Sequence, residues 1–188
     1  MGNREQAAEQ IKEFLQSNEK CLLLTGTHQY EKHKLVIRIL NKSLERHLIL
    51  FRTNSMQNIK NEEFLGWVNI KRNLKAGERV RIGRNFYECD SLNTASTWYK
   101  TNHKFSCAIL YPLDPLCRGG KLDAIDDLFQ NKDISKIFLV SWTDQKDYDY
   151  SIYKRYISRH VVYDAEEEDP AYHKRVLDIV KQIDVRRK

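Results

Sequence analysis

The sequence predicts a three-layer α/β fold: a mostly parallel five-stranded sheet with an inserted β-hairpin region, residues 54–100, within a single domain spanning 1–188. Three observations predict it. Short, near-continuous apolar runs recur near residues 21–25, 48–53, 105–111, 137–141 and 160–163, the mark of strands buried on both faces. Segments with apolar residues at helical spacing separate these runs, so right-handed crossovers between parallel strands are the expected connection. At 188 residues, 41% of them hydrophobic, the chain can bury a core of this kind without staples.

Taken in order, residues 3–17 place Ala7, Ile11, Phe14 and Leu15 on one helical face ahead of the first strand. A sharp turn at Gly26 follows, then a helix with Leu35, Val36, Ile39, Leu40 and Leu44 inward and the strand at 48–53. Between 54 and 100 the pattern changes. Residues 78–89 alternate polar and apolar around Gly83-Arg84-Asn85, which reads as an antiparallel hairpin with Arg79 and Arg81 outward. Helices are expected at 122–129 and near 150–158, each leading into a further strand. Pro170 opens a last helix with Tyr172, Val176, Ile179, Val180 and Ile183 inward, and residues 186–188 make a basic end.

Cys21, Cys89, Cys107 and Cys117 include no C-x-x-C pair, and Cys21 and Cys107 lie in apolar runs where a free thiol behaves as a small hydrophobe. A reducing, cytoplasmic setting is the simpler expectation. No run approaches the roughly 20 apolar residues that cross a bilayer, and the start of the chain is polar, so neither export nor membrane partnership is expected. The formal charge of +6 is regional: residues 34–84 carry 12 Lys/Arg against 4 Glu, whereas 114–149 carry 8 Asp against 5 Lys/Arg. Such asymmetry attracts a polyanion or an acidic partner to one face.

The turn after the first strand carries the most chemistry. Gly26 and Lys32 match the spacing of the phosphate-binding pattern G-x-x-x-x-G-K-[ST], with Thr27 inside the loop, Glu31 in place of the second glycine and His33 in place of the hydroxyl residue. A carboxylate at Glu31 would oppose a phosphate by roughly 1 kcal/mol at 4 Å in water, and by more where the dielectric is lower, unless it swings away. Imidazole at His33 is a poor magnesium ligand, because that hard cation prefers oxygen. A retained phosphate site therefore stands beside a purely structural reading, with Gly26 permitting the turn, Glu31 favourable at a helix N-terminus, and Lys32 and Lys34 on a solvated face. His28 and His33 read as surface or capping residues, and no zinc spacing accompanies them.

The expected carboxyl ends of the strands carry Gly26–Lys32, Asp114, Ser141–Asp144 and Asp164, where ligands of open parallel sheets bind. On these residues the chain resembles a P-loop NTPase of the RecA-like and AAA-type group, with a degenerate phosphate loop. The resemblance implies ATP or GTP at Gly26, Thr27, Glu31, Lys32 and His33, with magnesium disfavoured by the altered loop. It also implies Asp114 as the acid that organises a metal, and Ser141 or Thr143 as the polar sensor that places water. Asp114, though, stands beyond Pro112 and has no acidic neighbour, and acids or hydroxyls also simply terminate strands.

Three readings of function follow. The first is a P-loop NTPase-like module with altered or lost hydrolysis, serving as a nucleotide-sensing, regulatory or nucleic-acid-associated accessory. Next comes an active NTPase with a nonstandard loop, using Lys32, Asp114 and Ser141 or Thr143. The third is a nucleic-acid-binding or protein-interaction scaffold without nucleotide. For nucleic acid the candidate groups are Lys71, Arg72, Lys75, Arg79, Arg81 and Arg84, with Trp67 or Trp98 stacking on an unpaired base.

Overall fold

The structure, a computed structural model, describes residues 2–119, 122–144 and 148–186, with 181–186 described through their backbone alone. Its elements in chain order are α1 (Asn3–Gln16), β1 (Cys21–Thr25), α2 (Lys32–Ser43), β2 (Leu48–Thr53), β3 (Arg79–Ile82), β4 (Asn85–Ser91), β5 (Lys104–Leu110), α3 (Asp114–Gly119), α4 (Asp123–Gln130), β6 (Asp133–Val140), β7 (Arg159–Val162) and α5 (Pro170–Arg186). Short 3-10 turns lie between them.

All seven strands form one sheet in the order β3-β4-β2-β5-β6-β1-β7, parallel except for β3, which runs antiparallel to β4. The α/β architecture is the expected one, but the described residues form seven strands rather than five. The hairpin does not stand apart from the sheet: β4 pairs in parallel with β2, from Leu48 opposite Phe86 through Thr53 opposite Ser91. Its sequence hides this. Glu88 and Asp90 are charged, yet both are buried and held by guanidinium groups, Glu88 by Arg79 and Asp90 by Arg52.

Period-2 alternation divides the core between two faces. Leu22, Leu24, Ile49, Phe51, Tyr87 and Cys89 meet α1 and α2 on one side. Cys21, Leu23, Leu50, Ala108 and Leu139 meet α4 and the 3-10 turns on the other. Cys21, Cys89 and Cys107 are buried free thiols. Arg52 lies fully buried between Asp90 and Asp127, with its guanidinium 4.6 Å from the ring centroid of Trp98.

Two helical expectations change. Between β6 and β7 the described residues form a 3-10 turn, Tyr150–Tyr153, followed by turns, rather than a helix to residue 158. On α5, Val176 and Val180 are buried, Tyr172 is half-buried, and Ile179 is 48% exposed rather than inward. The expected inward Ile183 and the basic end at 186–188 lie outside the residues whose side chains are described. Among the described residues no helix is long and apolar enough to cross a membrane.

Candidate functional site

Because β2, β5, β6, β1 and β7 run parallel, their carboxyl ends lie along one edge and bring Asn54, Tyr111, Ser141, Gly26 and Tyr163 to it. Gly26 turns the chain there with φ +119°, a left-handed conformation that favours glycine. A Cβ would also lie 2.2 Å from the carbonyl oxygen of Tyr163, so the loop packs directly on the neighbouring strand end.

Five of the loop's amides, those of Gly26, Thr27, His28, Gln29 and Glu31, are engaged by the chain itself. Gly26 N–H donates to Asp144 Oδ2, Thr27 N–H to Asp164 Oδ1 at 2.8 Å, and His28 N–H to the Tyr163 carbonyl at 3.3 Å. Gln29 N–H donates to the Thr27 carbonyl at 2.8 Å, and Glu31 N–H to the His28 carbonyl at 3.4 Å. Thr27 Oγ1 accepts from Ala165 N–H at 3.0 Å and lies 2.8 Å from His173 Nδ1. Two carboxylates thus stand on donors that a phosphate loop would offer to an anion.

Lys32 opens α2 and is fully buried, not on the solvated face of the helix. Its stem packs inward because the tight loop aims the first turn of α2 at the strand ends. Nζ donates to the Gly26 carbonyl and, at 3.2 Å, to the Trp142 carbonyl, with Asp144 Oδ2 at 3.8 Å. Burial pushes the ammonium below its ordinary pKa, while the charges of Asp144, Asp114 and Asp164 oppose that shift. The cation is spent on internal acceptors.

Glu31 swings away from the loop and accepts from Lys34 at 3.0 Å and Arg38 at 2.9 Å. Partial burial favours its neutral form, but those two cations outweigh burial and hold the carboxyl below its usual range. The anticipated repulsion of phosphate is therefore relieved at Glu31, and it moves to Asp144 and Asp164. His33, expected at the surface, is fully buried: its ring stacks on Tyr111 with centroids 4.0 Å apart, and Nε2 lies 3.0 Å from the Phe64 carbonyl. Burial drives its pKa down to about 3, so the imidazole is neutral and Nε2–H donates to Phe64.

Asp114 begins α3 at 3% exposure, and both its oxygens are used. Oδ2 accepts from Trp142 N–H at 2.6 Å, and Oδ1 accepts from the N–H and Oγ1–H of Thr143, each at 2.8 Å. Asp114 and Thr143 are thereby brought together. Ser141 is fully buried beside them, and its Oγ has no hydrogen-bond partner among the described residues. This donor set does not fit magnesium: a buried neutral imidazole stands where a hydroxyl would ligate, and the acid's oxygens already accept from the chain. Among the described residues no group of three or more His, Cys, Asp or Glu could hold a metal ion.

The basic candidates are all exposed, but most carry a carboxylate partner. Lys71 pairs with Glu62, Arg72 with Glu78, Arg79 with Glu88 at 2.9 Å and Arg84 with Glu45. Lys75 and Arg81 have no ion-pair partner among the described residues. Trp98 cannot offer a stacking face to a base: it is 9% exposed, donates Nε1–H to the Ser91 carbonyl and packs on Arg52. Trp67 is partly exposed, with the guanidinium of Arg38 5.0 Å from its ring centroid. Asp144 and Asp164 are visible in the sequence as polar strand-end residues. Their role is legible only once β6, β1 and β7 are known to be neighbours.

No protein-family model matches the chain, and no curated protein sequence does. Among solved structures, the large terminase from a thermophilic bacteriophage superposes with a TM-score of 0.55 at 5% sequence identity, covering 86% of this chain and 45% of that chain. This chain spans less than half of the terminase chain's length. The likeness shows the α/β fold alone. At this identity it assigns no role to any residue.

Proposed function

We propose that this chain is a P-loop NTPase-like module that has lost hydrolysis and acts as a regulatory or nucleic-acid-associated accessory. One observation carries the reading: Lys32 and the Gly26 and Thr27 amides are satisfied by the chain's own carbonyls and by Asp144 and Asp164. A nucleoside triphosphate would have to displace two carboxylates from the loop and strip Lys32 from buried acceptors before gaining contact with Lys32 or with the Gly26 and Thr27 amides. That cost reduces affinity and leaves a loop that responds to nucleotide only by opening. The donor set around Asp114 and His33 supports no metal-assisted step, so none is assigned.

Titration calorimetry with ATP and GTP, with and without magnesium, tests this. Asp144→Ala frees the Gly26 amide and one partner of Lys32, and is expected to bind triphosphate severalfold more tightly than the natural chain. Lys32→Ala in the same background should remove that gain. Equal affinity of the natural chain and Asp144→Ala would mean that the carboxylate does not guard the loop.

A further inference from the structure

Apart from the cleft that Asp144 and Asp164 line, the strand-end edge holds a cavity of about 350 Å³. Four aromatic side chains line it, Tyr30, Phe64, Tyr111 and Trp142, together with Glu63 and Asn61. Tyr30 and Trp142 are each 37% exposed at its mouth, with ring centroids 6.1 Å apart and planes tilted by 51°. Phe64 and Tyr111 form a second tilted pair, 5.5 Å apart at 58°, and this wall is backed by the neutral His33 ring stacked on Tyr111. Tyr30 and Trp142 are the exposed rings of the lining, and Tyr111, stacked on His33 and 1% exposed, forms its floor.

Among the described residues that line the cavity, the charged side chain is the carboxylate of Glu63. No Lys or Arg among the described residues lines it, and Glu63 has no hydrogen-bond or ion-pair partner among them. Lys32, whose ammonium reaches the Trp142 carbonyl, faces the charges of three carboxylates, Asp114, Asp144 and Asp164. An anion such as a phosphate is disfavoured here, while the negative ring faces and a carboxylate favour a cation. The apparatus that resembles a phosphate loop holds this wall in place. Trp142 is clamped by its backbone, its N–H on Asp114 at 2.6 Å and its carbonyl on Lys32 at 3.2 Å, and Tyr30 belongs to the loop itself.

We infer that this cavity is a binding site for an organic ammonium cation, held by cation–π contact with Tyr30, Trp142, Phe64 and Tyr111 and by the charge of Glu63. The ammonium belongs either to a free small molecule or to a methylated lysine side chain of a partner. This inference is independent of whether the loop binds nucleotide. The test is calorimetric titration of the full chain with choline, with its uncharged tert-butyl isostere and with a short peptide carrying trimethyllysine. Choline or the peptide should bind and the isostere should not, and preference between the two charged probes identifies the source. Glu63→Gln and Tyr30→Ala, both at exposed positions, should each weaken the charged probe by about fivefold or more. Binding of the isostere as tightly as choline, no binding of either charged probe, or affinity unchanged in both variants would overturn the inference. Adenosine serves as a neutral planar control: its binding with choline excluded would assign the cavity to a heterocycle and refute the ammonium site.

Discussion

Lys32 donates from Nζ to the carbonyl of Gly26, six residues earlier at the opposite end of the same loop. The two residues whose spacing suggests a phosphate site therefore bond to each other. Lys32→Met removes a buried charge but leaves the Gly26 and Trp142 carbonyls without their donor, and Asp144 without its nearest cation. Loss of one partner from a buried charged cluster costs roughly 3–5 kcal/mol, so chemical denaturation should show a large loss of stability even without nucleotide. A change below about 1 kcal/mol would show that the buried ammonium is not holding the loop closed.

Acid should destabilise the fold through His33. Its pKa falls from 6.5 to about 3 because burial disfavours the imidazolium. Below 6.5 the unfolded chain takes up a proton that the folded chain refuses, so stability is complete above that pH and declines as pH falls toward about 3. The slope from this group approaches about 1.4 kcal/mol per pH unit. Denaturant midpoints across this range should fall less steeply for His33→Gln, which cannot titrate, and identical slopes would assign the acid sensitivity elsewhere.

The buried Arg52 should tolerate no truncation. It donates to Asp90 at 2.8 and 2.7 Å, to Asp127 at 2.8 Å and to the Ala124 carbonyl at 2.7 Å, and so ties β2 to β4 and to α4. Arg52→Met leaves two buried carboxylates unpaired and should cost roughly 3–5 kcal/mol. Combining it with Asp90→Asn and Asp127→Asn should restore part of the loss, because the uncompensated charges go too. No recovery in the triple variant would place the cost in packing against Trp98.

Polyanion binding, if the hairpin face supports it, should be weak and should centre on Lys75 and Arg81, since Lys71, Arg72, Arg79 and Arg84 are each paired with a glutamate. Fluorescence anisotropy with single-stranded and duplex oligonucleotides should show affinity that falls steeply with salt and changes little with base sequence. Lys75→Glu with Arg81→Glu should have a larger effect than Arg79→Glu with Arg84→Glu. No binding at low salt, or binding indifferent to the first pair, removes the hairpin from consideration.

Much of this fold is legible in the sequence because five apolar runs and the helices between them obey simple periodicities. The inward faces of α1 and α2 follow from Ala7, Ile11 and Phe14 and from Leu35, Val36, Ile39 and Leu40, all of which are buried. Harder to read is anything decided by pairing across the sheet. The charged alternation of β4 looks like an exposed hairpin until Arg52, distant in sequence, neutralises Asp90 from the adjacent strand. At the loop, the spacing of Gly26 and Lys32 is visible, but not that Asp144 and Asp164 arrive from β6 and β7 on either side of β1 and take the amides. Local spacing encodes the shape of the loop, and long-range topology decides what fills it.

Steady-state turnover of ATP and GTP with magnesium, measured on the natural chain and on Lys32→Ala, tests the central claim most directly. With Lys32 committed to the carbonyls of Gly26 and Trp142, and Asp114 committed to Trp142 and Thr143, phosphate release should not rise above background in either protein. Magnesium-dependent release by the natural chain would contradict the account, and its disappearance in a Lys32→Ala protein that remains folded by circular dichroism would restore Lys32 as a working phosphate ligand.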